Sequence, residues 1–172
     1  MSLSPFFIPG MQISETNSQQ GCYLYIMGKV KNIIAGFAGA AAMNILHESL
    51  KYKSNKRPRI DLLGEQALNK GLGFFGEHIN DEKALYKATL ISDLISNTVY
   101  YSLIGSGKQK FIWAKVFFFG LSAGIGAITL PKPMGLDPEP VTSNDSRKAL
   151  TVGYYLFGAI VTGLLIKAMK PK

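Results

Sequence analysis

"ALTVGYYLFGAIVTGLLI", residues 149–166, runs 18 residues without a charge. A helix rises about 1.5 Å per residue, so this stretch reaches across most of the roughly 30 Å hydrocarbon core of a bilayer. Nothing else in the chain is as uninterrupted, and the fold is read outward from it. The preceding "VFFFGLSAGIGAITL", residues 116–130, is also free of charge, with Trp113 and Lys115 at its start, where interfacial anchors belong. Further back, residues 84–105, "ALYKATLISDLISNTVYYSLIG", carry Lys87 near one end and Asp93 near the middle. The first apolar run, residues 32–50, ends in "AAAMNILHESL" and contains Asn44, His47 and Glu48.

These runs predict an all-α integral membrane bundle of about four transmembrane helices, over 32–50, 84–105, 113–131 and 149–167. Between the first two, "RPRIDLLGEQALNKGLGFFGEHINDEKA" predicts a short amphipathic helix over about 61–76, with Asp61 as its cap. Leu62, Leu63, Ala67, Leu68, Leu72 and Phe75 form its apolar stripe. Pro131, Pro133, Pro138 and Pro140 stiffen the turn before the last span. Residues 28–172 form one membrane domain, and 1–27 read as a flexible tail, with Met27 an alternative start. The competing architecture is a soluble bundle that buries the same short, polar-marked helices.

Small residues favour the membrane. Gly120 and Gly124 are spaced as GxxxG, Gly36 and Ala40 repeat that spacing, and Ala88, Ser92 and Ser96 form a third such row. Helices in lipid gain dispersion contacts where small residues let backbones approach. Gly36, Ala40, Gly120 and Gly124 are therefore the expected packing residues.

Lys and Arg total 19 against 11 Asp and Glu, a net charge of +8. Basic chains bind nucleic acid or anionic lipid. The apolar residues and glycines concentrate after residue 30, which points to lipid rather than nucleic acid. "KYKSNKRPR" follows an apolar helix directly and lacks interleaved aromatics apart from Tyr52. Lys51, Lys53, Lys56, Arg57 and Arg59 are thus expected to bind anionic headgroups. The connections at 51–83 and 131–149 hold 10 Lys and Arg against 8 on the opposite side, which leans both towards the cytoplasm. Cys22 is the single cysteine, so neither an intramolecular disulfide nor a multi-Cys zinc motif is available. The polar "ISETNSQQ" before it argues against a lipoprotein, and "MSLSPFFIPGMQ" lacks the form of a signal peptide.

Asp93 is the most informative residue, because an ionised side chain inside a span costs several kcal/mol unless it faces a partner or water (roughly 2.5–3.5 on insertion scales). Asn97 lies one turn on. Either Asp93 handles protons or cations, or it fastens helices by hydrogen bonds. His47 and Glu48 close the first run near headgroup level, with Glu48 expected to pair with Lys51 and His47 to be wetted. The alternative is a proton or metal site with Asp93, or with Asp61 and Glu65. No metal-ligand spacing, phosphate loop or nucleophile motif appears, and no cofactor or resident metal is expected.

"NILHES", "PRIDLLGEQAL", "LISDLISNTVYYSLIG" and "LSAGIGAITLPKPMGLDP" together resemble small uncharacterised multi-span membrane proteins of bacteria, over most of the chain after Met27. The resemblance implies the fold class and a multi-pass protein of the bacterial inner membrane. It implies no catalytic or binding residue. The leading expectation is a non-catalytic accessory or structural subunit packed against other membrane subunits or itself. A small oligomeric proton or cation transporter using Asp93 and Asn97 is the rival. A membrane-embedded metal-dependent enzyme on His47, Glu48, Glu65 and Asp93 is weaker.

Overall fold

The computed structural model describes residues 12–54 and 57–169. Among them every regular element is helical. In order these are α1 (Gln12–Leu50), α2 (Ile60–Gly73), α3 (Glu82–Ser102), α4 (Ile112–Thr129), the single-turn α5 (Glu139–Thr142) and α6 (Asp145–Ala168). Helix α1 starts at Gln12, so much of the segment expected as a tail continues α1 along its backbone. Local chemistry sets the other starts. The Asp81 carboxylate accepts from Ala84 N at 2.7 Å to open α3, and Asn144 accepts from Arg147 N at 2.9 Å to open α6. Asp61 does not cap α2. It lies inside the first turn, after Arg59, and its carboxylate is drawn into ion pairs instead.

Among the described residues three helices rather than four are long and apolar enough to cross a membrane: Ile26–Leu50, Gln109–Thr129 and Asp145–Ala168. Helix α3 has the length, at 21 residues, but Lys83, Lys87 and Asp93 dilute its apolar character.

Helices α1 and α4 run one way and α3 and α6 the other. The closely packed pairs are α1 with α3, α1 with α6 and α4 with α6. Glycine sets each of these three seams. A Cβ at Gly36 would stand 2.5 Å from the Thr98 carbonyl oxygen of α3. One at Gly39 would strike the Thr162 hydroxyl of α6, and Gly158 faces the Gly39 carbonyl in return. One at Gly124 would stand 2.6 Å from Val152 Cα, and Gly120 meets Leu156 and Ala159. Ala40 is fully buried beside them. Ser92 and Ser96 are exposed, so the third small-residue row does not pack against a helix. The core sits where the seams converge, with Met43, Tyr101, Val116 and Ala159 almost wholly buried. There the Tyr101 hydroxyl donates to the Tyr155 carbonyl at 2.8 Å.

Helices α3 and α4 part company instead of packing along their length. Across their gap the Tyr100 hydroxyl bonds the Phe119 carbonyl at 3.1 Å and the Ser122 hydroxyl at 2.8 Å. Over the other end lies α2, tied to the 131–140 loop. Arg59 N donates to Pro140 O at 2.9 Å, and Asp137 N donates to Gln66 Oε1 at 2.8 Å. Asn69 and Ile79 exchange a reciprocal pair of hydrogen bonds, 2.9 and 3.1 Å, that folds the α2–α3 connection back on α2.

Candidate functional site

Two neighbouring features collect most of the polar residues singled out in the sequence. The first is a network of charges where α1 ends, α2 begins and α3 begins. Lys51 Nζ lies 2.8 Å from Glu48 Oε2, 3.3 Å from Asp61 Oδ2 and 2.8 Å from the Tyr86 hydroxyl. The Tyr86 hydroxyl in turn donates a very short hydrogen bond to Glu48. Arg59 grips Asp61 from the other side, its Nη2 at 2.8 Å from Oδ2 and its Nε at 2.9 Å from Oδ1. Burial opposes ionisation of Asp61, but Arg59 and Lys51 outweigh it and hold the carboxyl below its ordinary range. Burial likewise works against the Lys51 ammonium, and Glu48, Tyr86 and Asp61 together push its pKa above the usual lysine value. Glu65, half-buried a turn beyond Asp61, is raised by burial and by the Asp61 charge.

The Glu48–Lys51 pair forms as anticipated at the end of α1, but the surroundings differ from expectation. His47 is 5% exposed rather than wetted. Its Nε2 accepts from Ile60 N at 3.3 Å, which leaves Nδ1 as the protonated nitrogen, 3.4 Å from Glu48 Oε1. Lys51 is turned inward and is 4% exposed, because the Glu48 and Asp61 carboxylates attract it more strongly than the surface does. Arg59 is likewise committed to Asp61, while Lys53 is exposed and Arg57 half-exposed. Lys56 lies outside the described residues. Among the described residues no three His, Cys, Asp or Glu converge as a metal site would require.

The second feature is a cavity of about 520 Å³ between α1, α2, α3, α4 and the 130–136 loop. It brings together Asn44 and His47 of α1, Asp61 of α2, and Asp93 and Asn97 of α3. Glu48 and Glu65 are not on its wall. Asp93 takes a hydrogen bond from Asn97 Nδ2 at 2.9 Å and another from the Asn44 side chain across the α1–α3 seam. Among the described residues no Lys or Arg pairs with Asp93. The remaining wall is mainly apolar, from Leu63, Leu90, Ala123, Ala127 and Leu136, with Tyr100 and Tyr155 adding aromatic surface. Exposed lining residues lie on both sides of the α3–α4 gap, Ser96 and Ser122, and by α2 and the loop, Ala67, Leu130 and Met134.

Thr89 also lines the cavity, and the sequence reading passed over it. It is 4% exposed, yet its hydroxyl has no hydrogen-bond partner. Its methyl side faces Gly64, which lets α2 settle onto α3 at that point. A threonine in a helix ordinarily satisfies its hydroxyl on the carbonyl a turn earlier, so nothing in the sequence distinguishes this one.

The network is largely closed on itself: its Glu48 and Asp61 carboxylates are both engaged by cations. The cavity is different, holding one carboxylate met only by neutral donors, and it is the candidate site. No protein family, curated protein or solved structure matches this chain.

Proposed function

We propose that the chain is a multi-pass protein of the cell membrane in which α1, α3, α4 and α6 all cross the bilayer, and that it works without catalysis, as a binding or carrier protein that admits a small molecule or ion to the cavity beside Asp93. Membrane integration is supported by what the bundle leaves outside. Only 22% of the apolar window in α4 is buried, and Phe117, Phe118 and Ile125 are half-exposed or more. An apolar surface of that extent is stable in lipid and prone to aggregate in water. Helix α3 joins the spans because Thr89, Asp93 and Asn97 turn towards the cavity while Ile91, Ile95 and Val99, each about 60% exposed, present an apolar row outward.

The observation that carries the carrier function is the convergence of Asp93, Asn97, Asn44 and Thr89 on one cavity with an opening. Had Asp93 served only to fasten helices, close packing around it would stabilise the bundle better than a void. Reconstitution into vesicles tests this. Asp93→Asn keeps hydrogen-bonding capacity, so the variant should insert and fold while losing flux of the transported species. Normal flux through Asp93→Asn would remove Asp93 from the mechanism.

A packing subunit of a larger complex is the alternative, favoured by the same Ile91, Ile95 and Val99 row, which fits a partner helix as well as lipid. Purification in mild detergent separates the two. A homogeneous particle of this chain alone supports the carrier, and a stoichiometric foreign chain supports the subunit. Recovery in the soluble fraction without detergent would overturn the membrane assignment itself.

A further inference from the structure

We infer that the cavity is a site for an organic ammonium, a positively charged nitrogen carried on an apolar body. At about 520 Å³ it falls within the roughly 300–1,000 Å³ of pockets that hold small organic molecules. Its ionisable lining residues are Asp93 of α3, His47 of α1 and Asp61 of α2, with the hydroxyls of Tyr100 and Tyr155; α4 and the 130–136 loop contribute no charged lining residue. Asp61 is already neutralised by Arg59 and Lys51, and His47 accepts from Ile60 N and so presents no positive charge. Asp93 is therefore the uncompensated acid of the cavity. A ligand that completes the site carries one positive charge.

The rest of the wall selects among cations. A divalent ion such as Ca2+ needs about six or more oxygen ligands at close range, and α2 and α4 line the cavity mainly with carbon. An ammonium with apolar substituents loses less on leaving water and gains contacts with Leu63, Leu90 and Ala127. Tyr100 and Tyr155 offer ring surface of the kind that attracts alkylated ammonium groups. The unpartnered Thr89 hydroxyl stands ready to accept from an N–H or to contact a polar substituent. In the proposed arrangement the gap between α3 and α4 faces the bilayer. The ammonium could thus belong to a free amine dissolved in the membrane or to an aminated lipid headgroup.

The ammonium site presupposes the accessible cavity of the proposed function, so the test addresses each separately. Cysteine placed at Ser96 or Ser122 in a Cys22→Ser background reports access by its reaction with a small thiol reagent. Binding to the detergent-purified full chain is then measured with benzyltrimethylammonium, its neutral carbon isostere neopentylbenzene, and benzenesulfonate. The cation should bind at least tenfold more tightly than either analogue and protect both cysteines. Asp93→Asn should weaken the cation at least tenfold and leave the neutral isostere unchanged. Should Asp93→Asn fold poorly, Thr89→Val with intact Asp93 provides the second comparison, and it should retain the preference for cation over anion.

Competition by phosphatidylethanolamine nanodiscs against phosphatidylglycerol nanodiscs identifies a headgroup as the source; its absence identifies a free amine. Labelled cysteines protected by the neutral or anionic probe as well as by the cation would overturn the ammonium site and leave the cavity function standing. Cysteines that no reagent reaches would overturn both.

Discussion

Lys51 Nζ stands 3.3 Å from Asp61 Oδ2, with the two side chains 2% and 1% exposed, and this ion pair joins the end of α1 to the first turn of α2. A buried pair of this kind adds little net stability over a well-packed apolar pair. Breaking it by removing one partner strands the other charge. Its role is positional: it fixes where α2 leaves α1, and so where the roof of the cavity lies.

Replacing Lys51 with Met should therefore destabilise the protein by about 2 kcal/mol, since Glu48 loses its cation and Asp61 is left with Arg59 alone. Asp61→Asn should cost a similar amount, because Arg59 loses its carboxylate and Lys51 is left with Glu48 and Tyr86. The double variant should lose clearly less than the sum of the two. Denaturant or thermal unfolding in detergent gives all three values. A Lys51→Met protein that unfolds with the wild type would mean that the pair does not hold α2.

The same pair sets a pH window. The folded-state pKa of Asp61 lies below its ordinary 3.8, so its contribution is whole above that value and is lost as pH falls through the lower folded value. Lys51 is shifted the other way from its ordinary 10.5, so its contribution is whole below that value and fades only above it, as pH rises through the folded value. The stability gap between wild type and Asp61→Asn should stay constant across the neutral range and close only below pH 3.8. A gap that closes near neutrality would contradict the assignment. Unfolding curves at stepped pH resolve it.

Gly124 on the α4–α6 seam and Gly153 on the exposed side of α6 make a controlled comparison. Alanine at Gly124 would place a methyl 2.6 Å from Val152 Cα, which forces the helices apart at a cost of about 1–3 kcal/mol. Alanine at Gly153 meets open space and should stabilise α6 by up to about 1 kcal/mol through helix propensity. Melting temperatures in one detergent should move in opposite directions. Equal shifts would show that the seam is not sterically set.

Thr89→Val removes a buried hydroxyl that has no partner. With the cavity empty of ligand, this change should be neutral or stabilising by about 1 kcal/mol, because no hydrogen bond is lost and a desolvated polar group disappears. Marked destabilisation of the ligand-free protein would show that the hydroxyl is engaged after all.

The apolar parts of the helices were legible in the sequence because apolar runs are local properties, although α1 starts at Gln12, well before its run. The 149–167 expectation and the observed Asp145–Ala168 differ only by the capping turn that Asn144 opens. The conjunction of Asn44 with Asp93 was not legible, since it depends on the antiparallel register of α1 and α3. Once that register is known, Lys51 and Tyr86 follow. They lie seven residues on from Asn44, just past the end of α1, and seven back from Asp93 in α3, so the same seam brings them together. Lys51 was read as a surface cation because its neighbours in sequence are basic, whereas its acidic partner Asp61 arrives from the next helix. Thr89 carried no local signal at all. Its lack of a partner is a property of the cavity rather than of the sequence around it.

Three of the four contacts around the ring of α1, α3, α4 and α6 are backbone-close at glycine, and the α3–α4 side has no such contact among the described residues. A Cβ at Gly126, the glycine of α4 that lines the cavity, would meet only Leu130, which caps the same helix. The ring is thus a clasp with a fixed spine and one free edge. Helices locked at glycine cannot slide or separate without losing contact all along the seam. Any change in aperture must come from α3 and α4 swinging about the α1–α6 spine. The hydroxyls of Tyr100 and Ser122 form the catch that such a swing would release.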